Sequence, residues 1–153
     1  LVISTVTGYF KSFEGTAEST SDDFDGATVN FSAAIDSIDT NQSDRDNHLK
    51  SADFFDAANH PNLSFEGKIV NQGGDYKLVG DLSIRGNKKE VSLDVDFGGV
   101  AGDPYGQTKA GFEIEGKISR KEFGLTWSAV TEAGSVVVSD QVRLILSVQL
   151  VKQ

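Results

Sequence analysis

The chain has no cysteine, no methionine, two histidines and one tryptophan among its 153 residues. Without cysteine there is no structural disulfide, no thiolate nucleophile and no thiolate metal ligand, and redox chemistry says nothing about the compartment. His48 and His60 are too few for a closed zinc site. No apolar run approaches the ~20 residues of a membrane-spanning helix, and no charged-then-apolar leader opens the sequence. Basic residues are scarce: 14 Lys and Arg stand against 23 Asp and Glu, a formal net charge of -9. Such an excess repels the phosphates of a nucleic acid, so that class of partner is set aside. Leu1-Val2-Ile3 begins inside a strand-like pattern with no initiator methionine. This reads as a mature or trimmed product, with export to the periplasm or secretion as the expectation.

What is present is written in period two. Ala27, Val29, Phe31, Ala33 and Ile35 share one face of a strand, while Thr28, Asn30, Ser32 and Asp36 share the other. The same alternation runs through Leu63, Phe65, Gly67 and Ile69, and through Tyr76, Leu78, Gly80, Leu82 and Ile84. It continues in Val91, Leu93, Val95 and Phe97, in Phe112, Ile114, Gly116 and Ile118, and in Val142, Leu144, Leu146, Val148 and Leu150. Gly73-Gly74-Asp75, Gly86-Asn87-Lys88 and Gly98-Gly99 are spaced as hairpin turns, and Asp103-Pro104-Tyr105-Gly106 is a further turn. The pattern predicts a single all-β domain over 1–153 with antiparallel neighbours in chain order. It turns Phe31, Ile35, Leu63, Phe65, Phe112, Ile114 and Ile118 inward and leaves Glu113 and Glu115 in water. Gly67, Gly80 and Gly116 fall on the inward parity, which marks either the curvature of a curled sheet or space left for a ligand.

One segment breaks the rhythm. Thr40 to Asp56 gathers Arg45, His48, several Asp and the pair Phe54-Phe55 between β-patterned runs. It reads as a partly helical connection, helical near Asp44 to Lys50 with Ser43 or Asp44 as N-cap, and with Leu49, Phe54 and Phe55 turned inward. A loop this polar needs its charges paired, so Arg45 is expected to fasten to Asp44, Asp46, Asp53 or Asp56. Asp39-Thr40-Asn41-Gln42-Ser43 starts like a calcium loop but has Asp44 where such a loop needs glycine and Lys50 where it needs a bidentate glutamate. No nucleophile elbow or zinc-protease helix occurs, and the carboxylates lie mostly on solvent parity. No catalytic residue, metal or cofactor is expected.

Several separated blocks stand out in order: Ser4 to Phe10 with Phe13 and Gly15, then Asn41 to Asp56 with Pro61 and Phe65, then Gly80-Asp81-Leu82-Ser83-Ile84-Arg85-Gly86, Gly111-Phe112 and Ile118 to Leu125. In these blocks the sequence resembles the YceI-like family of bacterial lipid-binding proteins. The resemblance implies a lipocalin-like antiparallel barrel of roughly eight strands, with a short helical insertion near 41–56, around an apolar tunnel for a long-chain isoprenoid or other lipid. In such a barrel Phe10, Phe13, Ile38, Leu49, Phe54, Phe55, Phe123 and Trp127 join the inward strand residues as lining. Arg45 and His48 are candidates for holding a polar head at the mouth. The family's opening strand, with an Asp-x-x-His-Ser type start, has no counterpart before Leu1, and its Gly-Val-Thr-Lys turn is Gly86-Asn87-Lys88-Lys89 here. The expected function is non-enzymatic binding, storage or transport of such a lipid, with a homodimer possible. The alternative is a surface-acting interaction or stress-response module with a filled core.

Overall fold

A computed structural model describes residues 6–19, 24–127 and 139–152. The strands are β1 (Tyr9–Phe10), β2 (Phe13–Glu18), β3 (Thr28–Ala34), β4 (Ile38–Asp39), β5 (Asn62–Gln72), β6 (Asp75–Ile84), β7 (Asn87–Gly102), β8 (Thr108–Ser119) and β9 (Gln141–Val151). One helix, α1 (Ser43–Lys50), and two 3-10 turns, Ile35–Ser37 and Arg120–Phe123, complete the described elements. Seven strands form one antiparallel sheet in the order β2-β3-β5-β6-β7-β8-β9, and β1 pairs with β4 beside it. The sheet is curled into a half-barrel. Seven strands, against the roughly eight expected, make up this sheet among the described residues.

Alternation places the side chains as the sequence requires. Phe65, Ile69, Leu78, Leu82, Leu93, Val95, Phe112, Ile114 and Ile118 are buried on the concave face. Leu63 and Ile35 are buried too, Phe31 is half-buried, and Glu113 and Glu115 stand in water. Cross-strand partners repeat the pattern: Phe65 faces Leu82, Leu78 faces Leu93, and Ile114 faces Val95 and Leu146.

Gly67 and Gly80 oppose one another across β5 and β6. A Cβ on Gly80 would meet the Glu66 carbonyl oxygen, lie 2.5 Å from Gly67 Cα and lie 2.8 Å from Phe65 Cζ. The two backbones approach closely here and the Phe65 ring covers them, while the space over Gly116 is taken by the Leu93 side chain. Missing side chains at these three positions are therefore compensated by neighbours, the arrangement by which an aromatic ring packs over a strand glycine.

Two local expectations are corrected. Gly98-Gly99 is not a turn: β7 continues through it, and the register shifts between Phe97, opposite Phe112, and Val100, opposite Ala110. Two residues on β7 face one on β8, which is a bulge, and Gly99 supplies the positive φ of 90°. The chain reverses instead at Asp103, whose carboxylate accepts the N–H groups of Tyr105 and Gln107. The N-cap of α1 is Gln42 in extended backbone, not Ser43 or Asp44. Asp46 reaches back from inside the helix to the Thr40 N–H at 2.8 Å, so the entry is held from the preceding turn.

Candidate ligand-binding face

The concave face is apolar on every long strand, and its burial varies across the sheet. Most inward residues from β5 to β8 are buried, with Tyr76, Val91 and Phe97 half-buried, whereas Val29 and Phe31 near one end of the strand order, and Leu144, Leu146, Val148 and Leu150 at the other, all remain half-buried. Phe13, expected among the lining, lies on β2 at the end of the sheet and is 64% exposed while its ring tilts against Phe31 at 5.9 Å. Phe123 and Ile35 are 1% exposed and belong to the packed core. The β9 residues and Phe97 were not singled out as lining by sequence reasoning, although their period-two pattern carries the same signal.

Two aromatic groups mark the ends of the strands. Phe97 stacks on Phe112 with centroids 4.9 Å apart, and Phe24 meets both edge-on at 5.6 and 5.2 Å. At the other end the 41–56 connection and the segment after β8 come together. His48 stands edge-on to Trp127 at 4.7 Å and to Phe54 at 5.0 Å, and Phe54 lies 5.2 Å from Trp127. Phe55 packs on Phe10, whose strand neighbour is Ile38, and Leu49 is half-buried in α1.

The polar groups around this end hold the loops. Arg45 does not pair with a carboxylate as expected: Nε donates to Thr40 Oγ1 at 2.8 Å and the second guanidinium nitrogen to Thr40 O at 2.7 Å. The Thr40 hydroxyl in turn donates to Asp46 Oδ1. A buried threonine thus stands between the two charges, because the helix carries Arg45 and Asp46 side by side and both reach back to the same residue. His48 Nε2 meets Asp53 Oδ2 at 2.9 Å. Arg85 donates to the Phe54 carbonyl at 2.7 Å.

Arg120, within the matched block but given no role by sequence reasoning, is 4% exposed. It donates to the carbonyls of Leu125 at 2.5 Å, Trp127 at 2.6 Å and Ser139 at 2.8 Å. Asp140 beside it accepts from Ser119 Oγ at 2.6 Å and from the Lys121 N–H at 3.1 Å. The Ser119 hydroxyl first, then the Lys121 amide and the nearby cations, hold its carboxyl below the ordinary range. These bonds fix Trp127 and Ser139 against the end of β8.

Two open surface depressions are present. One, of about 390 Å³, is lined by Asp96, Phe112, Glu113, Ser147, Val148 and Gln149. The other, of about 440 Å³, lies beside α1 among Lys11, Asp36, Asp39 and Gln42. Among the described residues no three His, Cys, Asp or Glu side chains converge as metal ligands, and no helix is long and apolar enough to cross a membrane.

Known proteins share this architecture and sequence. Protein YceI of Salmonella newport is 38% identical over 154 residues, covering 100% of this chain and 78% of the relative. The crystal structure of the Campylobacter jejuni YceI protein superposes with a TM-score of 0.86 at 30% identity, covering 100% of this chain and 88% of that one. Burkholderia cenocepacia BcnA, at 21% identity and a TM-score of 0.75 over 94% of this chain and 86% of its own, shares the fold. The YceI-like domain profile matches residues 1–150, and with these relatives it shows that the chain belongs to the YceI-like family.

Proposed function

We propose that the protein is a non-enzymatic binder that stores or transports a long-chain isoprenoid or other amphiphilic lipid against its concave face, in the periplasm or outside the cell. The observation that supports this reading is the pair of apolar margins at the two ends of the strand order, Val29 and Phe31 on one and Leu144, Leu146, Val148 and Leu150 on the other, left half-buried beside a core carried by the middle strands. Each methylene of a chain laid on these residues leaves water at a gain of about 0.8 kcal/mol. A self-paired homodimer is compatible with the same reading. Mass spectrometry of the organic extract of natively purified protein tests it, with a long-chain lipid near one per chain expected. Leu146→Glu should lose that lipid yet keep the fold, because the new carboxylate projects from a half-buried site. An empty extract from the parent protein overturns the carrier reading.

A second reading, a surface-acting module with a filled core, draws on the glycines. Phe65 and Leu93 occupy the space over Gly67, Gly80 and Gly116. An empty extract together with an unaltered fold in Leu146→Glu is its expected signature.

A further inference from the structure

We propose that Asn41 is an acceptor for N-linked glycosylation, presented by the turn between β4 and α1 to a transferase that uses a lipid-diphosphate-linked oligosaccharide. Asn41-Gln42-Ser43 has the Asn-x-Ser form of such an acceptor, with no proline in the middle. Bacterial enzymes of this class also read an acidic residue two positions before the asparagine, and Asp39 stands there.

A tripeptide alone says little, and what sets this one apart is how the turn carries it. Asn41, Gln42 and Ser43 are all exposed. Asn41 has a φ of 64°, a left-handed conformation that asparagine tolerates, and Gln42 is extended at φ -150° and ψ 112°. The groups around them are engaged. Asp39 Oδ1 accepts the Asn41 backbone N–H at 2.8 Å, and Asp39 Oδ2 lies 2.6 Å from Lys11 Nζ. Thr40 is held by Arg45 and Asp46. By contrast, among the described residues the Asn41 side-chain amide and the Ser43 hydroxyl make no hydrogen bond. These are the two groups that the motif requires. Both line the open depression of about 440 Å³ beside α1, which leaves space next to the amide nitrogen for a sugar ring. The backbone of Asn41 explains why an asparagine or glycine sits there, but it makes no use of the amide.

The chain carries an internal comparison. Asn62-Leu63-Ser64 has the same tripeptide, yet His60 stands where the acid is needed and the segment lies in β5. Asn62 is paired with Ala34, and Ser64 with Ser32 and Ser83, so its backbone is fixed in the ladder. An acceptor must bend around its asparagine to reach an active site, which a turn allows and a paired strand resists.

In the transfer, Asn41 Nδ2 attacks the anomeric carbon of the first sugar. The C–N bond forms as the C–O bond to the diphosphate breaks, the lipid diphosphate leaves with the electron pair, and an amide proton passes to a base of the transferase. Nothing is oxidised or reduced. In the cell the transfer also needs the exported location proposed above; the test does not.

The folded, purified chain is incubated with a bacterial oligosaccharyltransferase and a polyprenyl-diphosphate-linked oligosaccharide, and its intact mass is measured. A gain of one glycan per chain is expected. Asn41→Gly, which suits the left-handed backbone, and Ser43→Ala should each abolish the gain. Asp39→Asn should lose most of it, and Asn62→Gln should leave it unchanged. Circular dichroism checks that the variants fold. No gain in the parent, a gain that survives in Asn41→Gly, or a gain removed by Asn62→Gln overturns the proposal. None of these measurements involves a bound lipid, so a failed acceptor and a failed carrier are told apart.

Discussion

Thr40 shows why a charged loop cannot be read one charge at a time. Arg45 and Asp46 are neighbours on α1, yet they meet through the hydroxyl and backbone of Thr40. Removing either side of this relay leaves the other without its partner, a cost of about 1–2 kcal/mol. Thr40→Val and Arg45→Ala should therefore each lower stability by that amount in urea titrations. The double variant should lose little more than the worse single, because both remove one unit. Full additivity would show that the threonine and arginine act separately. Arg120 stands at higher stakes, since its guanidinium is buried against three carbonyls. Arg120→Met should cost about 3 kcal/mol or more, the range for orphaning buried polar groups. Its melting curve should fall below that of any surface Lys or Arg replacement.

At the level of strands, the glycines decide how β5, β6, β7 and β8 approach one another. On Gly80 an added methyl meets backbone, which can yield only by separating two paired strands, whereas on Gly116 it meets the Leu93 side chain. Gly80→Ala should then cost more than about 2 kcal/mol and Gly116→Ala less, following the penalties of overpacking. Leu93→Val should relieve Gly116→Ala, so that the double variant is more stable than the sum of the singles, and should do nothing for Gly80→Ala. Equal costs at both glycines in chemical denaturation would refute this difference. The β7 bulge is also element-scale: Gly98-Gly99 looks like a turn in a list of residues, but the pairing on both sides of it continues.

For the molecule as a whole, acidity is the dominant charge property, at a formal net charge of -9. Among the described residues three carboxyls are held below their ordinary values. The Lys11 ammonium lowers Asp39, the Gln107 N–H lowers Asp103, and the Ser119 hydroxyl lowers Asp140. A group whose pKa is depressed on folding binds its proton more readily in the unfolded chain. Its contribution is present above the unfolded carboxyl value of ~4 and is lost as pH falls toward the folded one. Stability should consequently be flat with respect to these groups near neutrality and decline in the acid limb. Asp140→Asn should flatten that limb, which thermal melts between pH ~2.5 and ~5 can measure. An acid limb as steep in the variant as in the parent would remove Asp140 from this account.

Alternation in the sequence was enough to determine an all-β chain, the inward face of each long strand, the order of pairing and the exposure of Glu113 and Glu115. Those features depend on a local period of two that any sheet must respect. The blocks from Asn41 to Asp56 and from Ile118 to Leu125 also stood out as special, which was enough to find the family. Only the tertiary structure decided that Arg45 binds Thr40 and that Arg120 gathers three carbonyls, because a list of residues does not say which of several nearby acceptors a long side chain reaches, and that His48 lies against Trp127, because these two segments are far apart along the chain. It also decided how the strand glycines are used. A missing side chain creates room only if no neighbour takes it, and Phe65 and Leu93 take it here through rotamers and strand approach that no pattern of residues specifies.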